Sequence, residues 1–387
     1  MEAFEYNASP ARVIFGSGTL SKLSSEVSRL KLSAPLLLST PQQVHQASHL
    51  KDLLHGKIAG IFTEATMHTP SAVTDKALAY AKSTNADSVI SIGGGSTIGL
   101  GKAISIRTGL PHICIPTTYA GSEMTPILGE TVDGRKTTRS DPKILPGTVI
   151  YDVDLTMTLP VSVSAASGVN AIAHSGMSPF PPSSPGLHPS VPHIKYSTWL
   201  IHPLAVEALY AQNRNPITSR LALEGIKALA SSLPTIVSSS SDIPARQHAL
   251  YGAWLSGICL GSVGMSLHHK LCHTLGGSFN MPHAETHTII LPHALAYNAP
   301  KIPDEMKKLA EVLPGSGGDA VAGLNVLLQR LQVKRGLKDF GFKEEDLDKA
   351  AEIAVEKPYW NPRPVEKEKI RELFRRAWAG EEARADL

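Results

Sequence analysis

The segment "VISIGGGSTIGLGKAI", residues 89–104, determines the predicted fold. An apolar run ends in Gly93, Gly94 and Gly95, and a helical pattern begins near Ser96 or Thr97. Glycines allow close approach of a ligand to the backbone, and the first turn of a helix offers N–H groups to an anion. The segment therefore predicts a strand, a tight turn and a helix that together bind a pyrophosphate group.

This glycine run differs from two common phosphate-binding motifs. Ile98 stands where the third glycine of GxGxxG would be, and Ala103 stands where a P-loop needs Ser or Thr. Taken alone, the segment fits an ordinary strand-to-helix turn equally well. A second loop, "IPTTYAGSEMTP" (115–126), follows the next strand with several hydroxyl groups. Two such loops at successive strand ends favour a dinucleotide site.

The residues after the first inner strand leave the coenzyme open. The run "LLLST" continues as Thr40-Pro41-Gln42-Gln43, without an acidic residue. An aspartate there would bind the ribose 2′-hydroxyl and repel a 2′-phosphate. Both NADH and NADPH are therefore compatible with the sequence.

Alternating patterns along the chain predict the fold class. Continuous apolar runs at 34–40, 58–63, 86–96, 111–118 and 148–154 are typical of parallel strands covered on both faces. A helix is predicted over 69–84 with Thr69 as its cap, and amphipathic helices over 216–234 and 364–380. We predict a doubly wound dinucleotide-binding domain (1–159), an all-helical substrate domain (160–387) and a site in the cleft between them.

Composition excludes several classes of protein. The 387 residues are 42% hydrophobic and 18% charged, with a formal net charge of +3 and no basic stripe, so nucleic acid is not expected as a partner. No signal peptide and no apolar run of about 18 residues is apparent, so we expect a cytoplasmic protein without a membrane span. Three cysteines without CxxC spacing fit a reducing compartment.

Residues 175–204 do not fit this pattern, because they contain seven prolines in 30 residues. Without them, Val169, Ile172, Val206 and Leu209 fall at positions i, i+3, i+7 and i+10 of one apolar helical stripe. The segment is either a surface loop or a retained intron translated by a mistaken gene model, and the continuous stripe favours the intron. If the segment is translated, an inactive product is one alternative to the function predicted below.

Six of the chain's 16 histidines lie in "LHHKLCHTLGGSFNMPHAETHTIILPH" (267–293). Two of them, His269 and His273, are four residues apart and share a helix face, as do Asn170 and His174. Together with His283, these pairs predict two helices that direct polar side chains at one point. The remaining three, His268, His287 and His293, are predicted to be structural.

Several motifs together resemble the iron-containing alcohol dehydrogenase superfamily and, within it, the maleylacetate reductases. The resemblance covers nearly the whole chain outside 175–204, and its motifs include "GGGSTIGLGKAI", "PTTYAGSEMTPI", "GRKTTRSDPKILPGTVIYD", "SGVNAIAH", "HHKLCHTLGG", "PHAETHTIILPHALAYN" and "NPRPVEKEKIREL". It implies a dehydroquinate-synthase-like fold. It also implies the reduction of maleylacetate to 3-oxoadipate with NADH or NADPH, usually by a homodimer.

The resemblance also assigns site residues. The iron ligands of the relatives, one aspartate and three histidines, match Asn170, His174, His269 and His283. An amide in place of the only anionic ligand should cost more affinity than the roughly 10- to 100-fold of an outer-shell loss, so no metal is expected. Gly99, where relatives commonly carry aspartate, is a second departure.

In the metal-free reading, the four former ligand positions contact a small dicarboxylate, with protonated or donating imidazoles attracting its charge. Lys270 and Arg363 are expected to assist. His273 is the candidate proton donor, with Tyr359 as the second candidate. A metal-dependent dehydrogenase acting on a simple alcohol or aldehyde remains the alternative. The expected cofactor contacts are Thr40, Gly94, Gly95, Ser96, Thr97, Thr117, Thr118, Tyr119, Ser122 and Lys136.

Overall fold

The computed structural model describes residues 11–67, 69–132, 135–172 and 205–387. Six strands form one parallel sheet in the order β1-β8-β5-β4-β2-β3, and two further strands form an antiparallel hairpin. The strands are β1 (Arg12–Gly16), β2 (Pro35–Leu38), β3 (Gly60–Phe62), β4 (Ser88–Gly93), β5 (His112–Pro116), β6 (Ile127–Val132), β7 (Arg135–Ser140) and β8 (Thr148–Asp152).

The parallel sheet confirms the predicted fold class. All five predicted strands are present, and β2, β4, β5 and β8 are buried along their whole length. The sequence patterns did not predict β1, which is only partly buried, or the polar hairpin β6–β7. Neither has the continuous apolar run that marks a strand covered on both faces.

Helices surround the sheet and make up the C-terminal half. They are α1 (Leu23–Arg29), α2 (Val44–Leu53), α3 (Ser71–Ser83), α4 (Gly95–Thr108), α5 (Val161–Ile172), α6 (Ala205–Ala208), α7 (Pro216–Ser238), α8 (Ile243–Leu260), α9 (Leu267–Ser278), α10 (His283–Asn298), α11 (Pro303–Val312), α12 (Ala320–Arg330), α13 (Leu347–Glu356) and α14 (Lys367–Ala379). The helices predicted over 216–234 and 364–380 correspond to α7 and α14.

One predicted helix cap is wrong. Pro70 occupies the N-cap position of α3, and no side chain caps that helix. Thr69 has a φ of 44°, a left-handed conformation that does not fit the extended backbone of an N-cap.

Two hydrophobic clusters hold the helical half together. The larger joins one face of the sheet, through residues such as Val149, to α5, α7 and α8. The second lies among α9, α10, α13 and α14. Helix α10 contributes Leu291 and Leu295 to the first cluster and Ile289 and Ile290 to the second. Its position is therefore fixed from two sides, which also fixes the histidines that it carries.

The proline-rich segment lies outside the described residues, but both of its flanks are described. Val169, Ile172, Val206 and Leu209 are all buried in the larger cluster. This burial agrees with a shared apolar stripe. That the segment interrupts a single helix stays a prediction.

Cys114, Cys259 and Cys272 are buried and free, so the described part of the chain holds no disulfide. Among the described helices, none has both the length and the hydropathy needed to cross a lipid bilayer.

Candidate active site

The sheet order creates a crevice at the carboxyl ends of β2 and β4. These strands are neighbours, and the chain continues outward from them in opposite directions, to β3 and to β5. Such a switch point is where doubly wound sheets bind their ligands. Three predicted cofactor segments meet there: Thr40 after β2, the glycines that end β4, and Thr117 after β5.

Gln43 links two of these segments. Its Nε2 donates to Thr117 Oγ1 at 3.0 Å, and its Oε1 accepts from Thr40 Oγ1 at 3.2 Å. The structure thus brings Thr40 and Thr117 together. Gln43 was not predicted, because the stretch after β2 was considered only for an acidic residue. A polar side chain just beyond a strand end was the signal available in the sequence.

The glycine loop has room for a ligand at one position only. Gly93 has a φ of 147°, and a Cβ there would lie 2.6 Å from Thr97 Oγ1. A Cβ on Gly94 would lie 3.1 Å from Thr118, but one on exposed Gly95 would meet no atom within 4 Å. The hydroxyl of Thr97 is buried and has no hydrogen-bond partner among the described residues. The start of α4, which includes Ser96, therefore forms an open cradle suited to an anion.

Two predicted cofactor contacts have other hydrogen-bond partners in the structure. Tyr119 is fully buried in the larger hydrophobic cluster, and its hydroxyl accepts from Arg246 Nη1 at 3.4 Å. The prediction for Tyr119 is therefore corrected: its hydroxyl serves a buried arginine. The carbonyl of Ser122 accepts from Lys102 Nζ at 2.5 Å, so this backbone is a fixed support for the loop. The side chain of Lys136 lies outside the described part of the structure.

Lys102 is a buried cation that holds the second polar loop against α4. Besides Ser122, its Nζ donates to Thr125 Oγ1 and to the carbonyl of Ile127, both at 2.9 Å. Burial lowers the pKa of Lys102 to about 8, against the opposing charge of Glu123.

The absence of a side chain at position 99 has a local cause. A Cβ on Gly99 would lie 2.5 Å from Thr69 Oγ1. Aspartate at this position would therefore require Thr69 to move.

Five of the six histidines of α9 and α10 form one cluster. The ring centroid of His269 lies 5.6 Å from those of His273 and His287, and His283 lies 4.2 Å from His287. The rings of His268 and His287 are 5.0 Å apart. His268 and His287, predicted to be structural, also lie in this cluster because α9 packs on α10, and their structural role stays a prediction.

The other predicted members of the site are distributed as follows. Asn170 is buried on α5, which packs against α10, and its Oδ1 has no hydrogen-bond partner among the described residues. His174 lies outside the described residues. His293 lies apart from the cluster, where burial and the charges of Arg335 and Arg376 lower its pKa to about 3.

A fully buried carboxylate, Glu207 on α6, contacts His269. Its Oε2 lies 2.9 Å from His269 Nδ1. Burial lowers the pKa of His269 well below its ordinary value, so the imidazole is neutral. A neutral imidazole has one N–H and one lone pair, and it is Nδ1 that faces the Glu207 carboxylate. A protonated, cationic His269 is therefore disfavoured, and its contact with a substrate anion stays a prediction.

Glu207 was not predicted, because the proline-rich segment 175–204 separates it in sequence from Asn170. A signal was nevertheless present. With residues 175–204 omitted, Glu207 falls seven positions after Asn170, which is two helical turns and the same helix face.

His273 and Tyr359, the two candidate proton donors, are brought together. His273 Nδ1 and the Tyr359 hydroxyl are 3.0 Å apart. Burial, with the charge of Glu207, raises the pKa of Tyr359 to about 12, so the phenol keeps its proton. Asn361, also not predicted, anchors this loop: its Oδ1 accepts from Ser266 Oγ at 2.6 Å and from Asn298 at 2.8 Å.

The two predicted cations differ in availability. Lys270 is half-buried near Glu356 and Lys357, and burial lowers its pKa. Arg363 donates to the carbonyls of Tyr297 and Leu387, at 2.6 and 2.5 Å, and stacks on the Tyr297 ring. The prediction that Arg363 binds substrate is therefore corrected, because its guanidinium ties down the C-terminus.

One group of described side chains has the spacing of metal ligands. His268, Cys272 and His287 each place a ligand atom within 4.8 Å of the others, and all three are buried. Burial, with the charge of Glu207, raises the pKa of the Cys272 thiol well above its ordinary value. This thiol therefore stays protonated unless a cation displaces the proton.

Two family models match the sequence. "Iron-containing alcohol dehydrogenase" matches residues 10–153, and "Fe-containing alcohol dehydrogenase family, C-terminal" matches residues 199–378. Most of the proline-rich segment falls in the interval between the two matches.

Characterised relatives match over nearly the whole chain. The maleylacetate reductase of Rhizobium sp. (strain MTP-10005) is 48% identical over 380 residues, which span 98% of this chain and 99% of the relative. That of Sphingobium indicum is 46% identical over 377 residues, with 97% and 98% covered. The crystal structure of maleylacetate reductase from Agrobacterium tumefaciens superimposes with a TM-score of 0.88 at 48% identity, covering 99% of this chain and 100% of that one.

Proposed function

The chain belongs to the iron-containing alcohol dehydrogenase family and, within it, to the maleylacetate reductases, and from this we propose that it reduces maleylacetate to 3-oxoadipate with NADH or NADPH. The observation that carries the proposal is 48% identity to a maleylacetate reductase over 98% of the chain. The crevice and the histidine cluster supply the two halves of such a site.

The crevice supports a nicotinamide dinucleotide. The N–H groups at the start of α4 suit the pyrophosphate, and exposed Gly95 leaves space for it. The residue that joins the first two loops is neutral Gln43, where an acid would repel a 2′-phosphate. We therefore propose that both coenzymes are accepted.

The reduction needs a hydride and a proton. Maleylacetate carries an alkene conjugated to a ketone, so hydride from the nicotinamide C4 adds to the alkene carbon farther from the ketone. The electron pair moves onto the ketone oxygen as an enolate, and a proton then adds to the carbon next to the ketone. We propose that His273 gives this proton while the hydroxyl of Tyr359 holds its Nδ1.

The two substrate carboxylates need cationic or N–H partners. Lys270 follows His269 on α9 and is partly exposed, whereas Arg363 is engaged by backbone carbonyls. We therefore assign carboxylate binding to Lys270, with the amide of Asn170 contributing a neutral contact.

The family name raises the question of a metal ion. Among the described candidate ligands, Asn170 offers an amide oxygen, and His269 and His283 offer imidazoles. The neighbouring carboxylate, Glu207, already accepts from two backbone N–H groups and contacts His269 Nδ1. This set lacks an anionic oxygen ligand and does not fit tightly held divalent iron. We propose that the reaction proceeds without a metal.

We also propose that the enzyme is a homodimer, which a measurement of its molar mass in solution by light scattering tests.

Activity of two variants tests this assignment. His273→Ala should lower kcat for maleylacetate-dependent NADH oxidation by about 10²- to 10⁴-fold, the range for a lost general acid. His248→Ala, which removes an exposed histidine of α8, is the control. Near-normal turnover of His273→Ala would remove the assignment. Activity that is lost with a chelator and restored by iron, or brisk oxidation of plain alcohols, would support the metal-dependent alternative.

A further inference from the structure

We propose that Glu207 is a positioning residue of this site: it fixes His269 as the tautomer protonated at Nδ1, so that Nε2 presents a lone pair within the histidine cluster. The tautomer follows from the contacts of Glu207 alone. Its consequence for catalysis rests on the proposed function.

Both oxygens of Glu207 are occupied by N–H donors. Oε2 accepts from the backbone N–H of Ser266 at 2.7 Å and contacts His269 Nδ1 at 2.9 Å, while Oε1 accepts from the backbone N–H of His268 at 2.7 Å. Glu207 and His269 each have a relative exposure of 0%. Water therefore does not compete for these contacts.

The backbone donors fix the direction of the third hydrogen bond. A backbone N–H can only donate, so both carboxylate oxygens act as acceptors. Burial raises the pKa of Glu207 to about 7, so above that pH the carboxylate is ionised and satisfies all three donors when the imidazole also donates. A neutral imidazole carries one N–H, and placing it at Nδ1 leaves the lone pair at Nε2. This Nε2 is buried and has no hydrogen-bond partner among the described residues.

The same carboxylate holds the start of α9. The N-cap residue Ser266 makes no side-chain hydrogen bond to the first turn of that helix. Glu207 takes over this role, because it accepts N–H groups from the first turn and places a negative charge at the positive end of the helix. Since α9 also carries His273 one turn later, Glu207 positions both imidazoles of the proposed site.

This arrangement divides the work between neighbouring residues. His269 accepts a hydrogen bond at Nε2, from a bound water or a protonated group, and cannot bind a carboxylate there. Under the proposed function, Lys270 is the residue assigned to the anion, from the adjoining face of α9. The opposite tautomer would place an N–H where the site needs an acceptor.

Histidine-selective ¹⁵N NMR tests the tautomer without any substrate. At a pH above the raised pKa of Glu207, the wild-type spectrum should show His269 protonated at Nδ1, with the signal assigned by its loss in His269→Asn. In Glu207→Gln, one of the three donors must face the NH₂ group of glutamine, so a population protonated at Nε2 should appear. The matched control is Glu26→Gln, which alters another buried carboxylate, bound to Arg12 and Arg29 far from the histidines.

Kinetics tests the consequence. In Glu207→Gln we expect kcat/KM for maleylacetate to fall about 10- to 100-fold, by analogy with the loss of a carboxylate that orients a metal-binding histidine. The KM for NADH should stay within about twofold, a split that general unfolding would not produce. Glu26→Gln should keep both values.

Wild-type His269 protonated at Nε2 would overturn the proposal, even if every variant failed to fold. So would a Glu207→Gln enzyme with wild-type kinetics and tautomer. A wild-type protein with the expected tautomer and no maleylacetate reduction would instead refute the proposed function and leave the tautomer assignment intact.

Discussion

Replacing Gly95 by alanine separates cofactor binding from folding. Gly95 is the first residue of α4 and is exposed, and a Cβ there would meet no protein atom within 4 Å. The new methyl group therefore has nothing in the protein to collide with. Because glycine is the weaker helix former, the free energy of unfolding should stay constant or rise by up to about 1 kcal/mol.

The Gly95→Ala variant should nevertheless bind the coenzyme with lower affinity. The empty space beside Gly95 is where the pyrophosphate would approach the N–H groups of α4. A methyl group there would displace it and cost one charge-assisted hydrogen bond, about 1.5–3 kcal/mol. The Kd for NADH should therefore rise about 10- to 150-fold.

Titration of NADH fluorescence gives the Kd, and urea unfolding gives the stability. Gly147→Ala is the matched control, because Gly147 is also exposed and has open space around its Cβ, but lies before β8, away from the crevice. Equal NADH affinity for Gly95→Ala and wild type would refute the placement of the pyrophosphate at α4. A large decrease in the free energy of unfolding of Gly95→Ala would refute the claim that open space surrounds this position.

Three further perturbations test the fold. Gly101→Ala should lower the free energy of unfolding in urea by about 1–3 kcal/mol, because its Cβ would lie 2.3 Å from both His112 Nε2 and Ser91 Oγ. Wild-type stability would contradict this packing. Burial lowers the pKa of His112 and of His293 to about 3, so the stability that they contribute is present above their unfolded pKa near 6.5 and is lost as pH falls towards 3. The free energy of unfolding should then drop by on the order of 1 kcal/mol per histidine for each pH unit below 6.5, and a rise on acidification would contradict it. Deleting residues 175–204 should join α5 to α6 and raise the free energy of unfolding by about 3 kcal/mol, because the entropy of closing a loop of that length is no longer lost on folding. A less stable or unfolded product would show that the segment is part of the fold.

Local patterns predicted the elements that are buried on both faces. The continuous apolar runs of β2, β4, β5 and β8 mark strands without reference to their neighbours. The strand β1 and the hairpin β6–β7 are half-buried or polar, so their sequences carry no comparable signal. The same reasoning found His269 and His273, because a spacing of four residues places both on one face of any helix.

Partners distant in sequence needed the tertiary structure. Tyr119 and Arg363 have side chains suited to binding ligands, but both already have partners within the protein. The Tyr119 hydroxyl accepts from a buried arginine, and the Arg363 guanidinium donates to two backbone carbonyls. Glu207 meets His269 because its carboxylate also accepts backbone N–H groups at the start of α9. Sequence by itself determined the sheet, the glycine turn and the helix faces, since each depends on residues a few positions apart. Only the packed structure decided which polar groups are already satisfied, because a hydrogen bond between distant segments forms only where burial brings its donor and acceptor together.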